Sequence, residues 1–237
     1  MRNSFWSFIG NDSYNIGCTG QTVYLYDKQG VELARFKDLT YAYTAAISPK
    51  NDLFVVKSTA GRLAVYSFDP PALIKKFRFS KVDGGQDDNF CFSADGSELY
   101  NIERQTDVLK TALSIYDTKD FSLKRRIFDS DRSIVLTGIE NEKETDEFYL
   151  LGYLRGKFGV AEKCFVGKLN GAELRDVVYV TEEDHMFFLS YLDLRMSGFT
   201  QKKYAWSYMD GDLKELKDAD LHLSTLWKRY RKRKRNG

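Results

Sequence analysis

The side chains able to do chemistry in this chain of 237 residues fall into acidic, thiol, imidazole and basic groups. The acidic group comes first. Asp83, Asp87 and Asp88 lie in the segment Asp83-Gly84-Gly85-Gln86-Asp87-Asp88-Asn89. Asp129 and Asp131 follow, and Glu182, Glu183 and Asp184 stand just before His185. Oxygen ligands beside glycines suit calcium, but Asp83–Asn89 lacks the regular spacing and terminal Glu of a calcium loop. Neighbouring carboxylates on a strand point to opposite faces. Glycoside hydrolysis needs a pair about 5–10 Å apart across its substrate. Cys18, Cys91 and Cys164 are odd in number and have no CxxC spacing, which fits reduced, buried thiols better than a disulfide framework or a zinc site. His185 and His222 lie in no recognisable motif, and GxSxG, P-loop, HExxH and dinucleotide-binding glycine patterns are all missing. The expectation is a protein that is not an enzyme, with no cofactor and no metal.

The basic group is the densest. Lys228, Arg229, Arg231, Lys232, Arg233, Lys234 and Arg235 make seven cations in eight residues. Such a run reads as a polyanion-binding arm, for nucleic acid or an anionic surface, or as a nuclear localisation signal; the plain alternative is a solubilising end. Binding of a polyanion would fall steeply with salt. Without this run, 29 basic side chains face 34 acidic ones, so the body carries −5 and the chain is an acidic body with a basic tail.

The elements that must position these groups repeat along the chain. Tyr26, Tyr66, Tyr116 and Trp206 are each followed seven residues later by a leucine: Leu33, Leu73, Leu123 and Leu213. A fifth copy runs from Gly167 to Leu174, where the aromatic is lost. The copies lie 40, 50, 51 and 39 residues apart. Each reads as four strands rich in β-branched and aromatic residues, such as Val23-Tyr24-Leu25-Tyr26. Turns fall at Gly10–Ser13, Ser48–Asn51 and Ser93–Gly96. A period near 45 residues with four strands per copy is the signature of a β-propeller blade.

Tyr26-Asp27, Tyr66-Ser67, Tyr116-Asp117 and Trp206-Ser207 resemble the aromatic-Asp/Ser ending of WD-repeat strands. Phe92-Ser93-Ala94-Asp95-Gly96-Ser97-Glu98-Leu99 is similar to the turn of WD-repeat and YVTN-type propellers. The resemblance covers residues 5–217, without the Gly-His pair of strict WD repeats. It implies a non-catalytic binding platform.

The fold expected is therefore all-β: a single propeller over residues 1–217, in five four-stranded blades at about 5–37, 40–82, 88–129, 133–181 and 185–217. Residues 218–237 would form a short C-terminal amphipathic helix and the basic tail, because Leu223, Leu226, Trp227 and Tyr230 keep helical spacing. Its apolar stripe is expected to pack near the seam between the first and last blades. The acidic residues Asp83, Asp87, Asp88, Asp129, Asp131 and Glu182–Asp184 are assigned to the loops of one face, over which the tail folds back. A protein partner bound through this loop face is the leading functional expectation; a carbohydrate or small ligand, or a polyanion held by the tail, is the alternative. With no apolar run of 18 residues and no signal peptide, the expected compartment is the cytoplasm, or the nucleus in a eukaryote.

Overall fold

The structure is a computed structural model that describes residues 5–81, 85–86, 88–105, 110–156, 161–193, 203–206, 213–216 and 222–236. Four antiparallel four-stranded sheets follow one another along the chain. Blade 1 holds β1 (Ser7–Gly10), β2 (Tyr14–Cys18), β3 (Val23–Asp27) and β4 (Glu32–Phe36). Blade 2 holds β5 (Ala42–Ile47), β6 (Leu53–Ser58), β7 (Arg62–Phe68) and β8 (Pro71–Arg78). Blade 3 holds β9 (Phe90–Phe92), β10 (Glu98–Arg104), β11 (Thr111–Asp117) and β12 (Leu123–Ile127). Blade 4 holds β13 (Ile134–Glu142), β14 (Glu147–Arg155), β15 (Ala161–Asn170) and β16 (Glu173–Val180). Each sheet pairs its strands in chain order, and the first strands lie side by side: β1 by β5, β5 by β9, β9 by β13.

A sheet buried on both faces needs apolar residues on both sides of its middle strands, and these have them. Ile16, Cys18, Val23 and Leu25 of blade 1 pack against Phe54, Val56, Ala64 and Tyr66 of blade 2. Val55, Leu63 and Val65 on the other face of blade 2 meet Phe92, Leu99 and Tyr116 of blade 3. Tyr100, Ile102, Leu113 and Ile115 meet Leu136, Ile139, Leu150 and Phe165 of blade 4. Burial at about 25 cal/mol per Å² of apolar surface is what holds the blades in an array.

The sequence repeat has a structural cause. In every blade the pairing of the third strand with the fourth shifts register at one place: after Leu25, Val65, Ile115 and Val166. Tyr26, Tyr66 and Tyr116 sit at this bulge and are buried. In blade 4 the aromatic is missing because Leu174 takes its room. A Cβ on Gly167 would come within 2.8 Å of Leu174 Cδ1. The turn at Ser93–Gly96 is built by Asp95, whose Oδ1 accepts from Ser97 N at 2.9 Å and from the hydroxyls of Ser93 and Ser97, with Gly96 at φ +69. Only glycine reaches that φ without strain. These hydrogen bonds, the Ser97 amide foremost, pull the Asp95 carboxyl down to about 2.

Beyond blade 4 the structure departs from expectation. Four sheets of four strands are present among the described residues, and the described residues of 185–217 do not give a fifth. The start of the fifth blade expected at 185–217 is instead part of helix α1 (Glu182–Asp193), followed by the hairpin β17 (Lys203–Trp206) and β18 (Leu213–Leu216). The physical reason is an N-cap: Thr181 Oγ1 accepts from the Asp184 amide at 3.2 Å, and three acidic residues favour the positive end of the helix dipole. Helix α1 lies beside β13, in the station that an inner strand takes in the other blades. The C-terminal helix α2 (Leu223–Asn236) packs on β14, β15 and β16 of blade 4, not at a seam with the first blade. Leu223, Leu226 and Trp227 are buried there against Tyr149, Leu151, Val166 and Val178, which form a broad apolar face.

Candidate interaction face

One face of the array gathers the segments that enter each first strand and the loops between second and third strands. Main-chain bonds tie the two sets together. Gly20 and Ala42 exchange bonds at 3.0 and 2.9 Å, Thr59 N donates to Tyr41 O at 3.1 Å, Gln86 N to Thr59 O at 3.2 Å, and Arg155 N to Ser133 O at 2.8 Å. The rim is thus held in place by groups that loops usually leave to water.

Two large aromatics stand out of this rim. Trp6, just before β1, is 44% exposed, and Tyr41, just before β5, is 58% exposed. Tyr41 holds φ 56, a left-handed conformation that a bulky residue rarely adopts. The Trp6 indole packs edge-on to Tyr43, ring centroids 6.2 Å apart, and lies over Gly20, where a Cβ would come within 2.8 Å of it. Sequence reasoning missed both residues. The available signal was an aromatic just before β1 and just before β5, Trp6 facing Gly20 in the neighbouring loop.

The predicted acidic residues are not brought together as one cluster. Asp83 and Asp87 lie outside the described residues. Asp88 is buried, paired through Oδ2 with Arg104 Nε at 2.9 Å, and its main-chain carbonyl accepts from the fully buried Lys57 ammonium at 2.5 Å. Its carboxylate is a brace between second strand and entry loop, not part of a solvated face, because Arg104 holds both its oxygens inward. Asp129 is exposed, and Asp131 turns its Oδ1 back onto Ser133 N at 2.7 Å. Glu182, Glu183 and Asp184 form the first turn of α1 rather than a loop, with Glu182 and Glu183 exposed.

The basic run is not a free tail. It continues α2 to Asn236, so its charges are laid out on a helix. Glu140 caps the helix start: Leu223 N donates to Oε2 at 2.6 Å, and His222 Nδ1 lies 2.6 Å from Oε1. Lys228 pairs with Glu142 at 3.0 Å, and Arg229 lies 3.6 Å from Asp184. Tyr230 donates its hydroxyl to Asp184 Oδ2 at 2.6 Å. Trp227 donates to Asp176 O at 2.6 Å and holds Lys168 and Arg231 4.5 and 4.6 Å from its ring. Lys232 and Arg233 are exposed, Arg233 5.1 Å from the Tyr230 ring. The side chains of Lys234 and Arg235 lie outside the described residues. Of the predicted acidic face, α2 meets Asp184.

The other titratable groups are absorbed by packing. His185 is buried with Nε2 3.0 Å from Thr137 Oγ1, and burial pushes its imidazole down to about 4. Burial pushes the Cys18 thiol up to about 12 and also raises Cys164, so both stay protonated and unreactive at neutral pH. Cys91 is half-buried. No group of three His, Cys, Asp or Glu among the described residues is placed to hold a metal, and none of the described helices is long and apolar enough to cross a membrane.

No family model matches the sequence, and no curated protein matches it. Solved structures do resemble it. Hydrazine synthase of Kuenenia stuttgartiensis aligns with a TM-score of 0.58 at 13% identity, over 75% of this chain and 49% of that one. The WD40 domain of Toxoplasma gondii coronin aligns with a TM-score of 0.52 at 17% identity, over 71% and 43%. The chain spans less than half the length of either structure. At such identities the likeness is one of fold. Four-stranded antiparallel blades set side by side by their inner strands, and this likeness to a WD40 domain, identify the fold as that of a β-propeller.

Proposed function

We propose that the chain is a non-catalytic propeller scaffold that binds a protein partner through its loop face, with Trp6 and Tyr41 as anchors. The observation that carries this reading is their exposure on a rim whose backbone is already tied down. Large aromatics are the side chains on which interface energy concentrates, and a preset rim loses little entropy on binding. Helix α1, beside β13, would act as the inner element of an incomplete fifth unit, with β17 and β18 as its strands. The acidic first turn of α1, on the same rim, would add a polar border to the site.

The test compares affinity capture at physiological salt by the wild-type chain and by Trp6→Ala/Tyr41→Ala. A partner held by the wild type is expected to be lost, since each truncated anchor costs upwards of about 1–2 kcal/mol. A partner held equally by both chains would refute the loop-face site.

A further inference from the structure

The outermost strands of blades 2 and 3 carry a charge that the rest of the body does not. Between Pro71 and Lys81 stand Lys75, Lys76, Arg78 and Lys81 with no acidic residue, and β12 adds a Lys-Arg-Arg run, also with none. The matching strands of blades 1 and 4 are mixed in sign, with Glu32 beside Arg35 and Glu173 and Asp176 beside Arg175. The two basic strands are also joined across the gap between blades. The Lys75 ammonium donates to the carbonyl of Asp120, in the turn that leads into β12. On the other side Lys76 donates to Asp38 O at 2.9 Å.

Strand β8 ends its sheet, so among the described strands its outer edge has no hydrogen-bonded neighbour. Seven of its eight residues are exposed, including Leu73 and Ile74. Lysines on such an edge repel a second cationic strand and so prevent self-pairing. The same lysines attract a strand of opposite sign. We propose that the β8 edge docks an extended acidic peptide segment, which adds to the sheet as a further strand. An extended run of Glu or Asp sends alternate carboxylates to the two faces of the sheet. Lys75 and Lys76 stand one on each face, and Arg78 repeats the second. Main-chain bonds to the free edge hold the segment, and the lysines select its charge. This surface is independent of the loop face, so Trp6→Ala/Tyr41→Ala leaves it intact.

The experiment is fluorescence anisotropy of labelled octaglutamate with the full chain at low salt. Binding is expected, and Lys75→Glu/Lys76→Glu is expected to weaken it about tenfold, because each reversal removes one exposed pair and adds a repulsion. Lys228→Glu/Lys232→Glu on α2 should leave it unchanged, and octaglutamate N-methylated at alternate residues should bind several-fold more weakly. Both pairs of substitutions are at exposed positions, and unchanged circular dichroism checks the fold. Equal binding by Lys75→Glu/Lys76→Glu and wild type, a loss with the α2 variant instead, or equal binding of the N-methylated peptide would overturn the proposal. So would a duplex DNA of matched charge that binds through Lys75 and Lys76 while octaglutamate does not.

Discussion

Protonating His185 should loosen the junction between blade 4 and α1. The imidazole is 5% exposed, edge-on to Tyr153 with ring centroids 6.2 Å apart, and hydrogen-bonded to Thr137. It sits in the first turn of α1. Burial depresses its pKa to about 4, against about 6.5 in an unfolded chain. Between these values the unfolded chain binds a proton that the folded chain refuses. The stability associated with neutral His185 is therefore complete above about pH 6.5 and falls as pH drops towards 4. A gap of about 2.5 units corresponds to about 3 kcal/mol. The chain has only two histidines, so His222→Gln leaves one imidazole to follow by NMR. Its midpoint is expected near 4. Urea denaturation between pH 7 and pH 4.5 should show a larger loss for wild type than for His185→Gln. A midpoint near 6.5 would mean that His185 is solvated, and the packing of α1 against β13 would be refuted.

Tyr116, buried beside Phe77 with ring centroids 5.4 Å apart, should cost about 3–5 kcal/mol on truncation to Ala; a loss under about 1 kcal/mol by urea denaturation would contradict its place between blades 2 and 3. Gly167→Tyr should destabilise by about 1–3 kcal/mol through collision with Leu174, and a gain in stability would show that the space is open. Glu140→Ala removes the carboxylate that caps α2, so about 1 kcal/mol should be lost and the Leu223 amide should exchange faster; unaltered exchange would remove Glu140 from that role.

How much of this was legible in the chain depends on the range of the forces involved. The aromatic-to-leucine spacing is local: it marks the bulge between third and fourth strands, so β3, β7 and β11 could be phased from Tyr26, Tyr66 and Tyr116 alone. The Ser93–Gly96 turn was equally plain, because an Asx turn and a left-handed glycine are made by four neighbouring residues. Helix α1 stands where the fifth blade is expected to start because Met186–Leu189 is a short apolar run, and periodicity does not separate a buried strand from a buried helix at that length. The local clue was Thr181-Glu-Glu-Asp184, a capping pattern, which the phase of the repeat overrode.

Other features exist only in three dimensions. Asp88 looked like one more solvated carboxylate until Lys57 and Arg104, 31 and 16 residues away, enclosed it. Trp6 and Tyr41 have sequence neighbours much like those of core aromatics, and their exposure is decided by which loops the blades bring alongside. The basic outer strands are invisible in a net charge of −5 for the body, since Lys75 of β8 reaches the turn before β12 only when the blades pack. By itself the sequence determined the strands of the first four blades, their turns, and the helical spacing of Leu223–Tyr230, because each depends on residues within one turn or one hairpin. Tertiary structure alone decided which faces are covered, where α2 lies and which charges meet, because burial and charge pairing are set by contacts between blades.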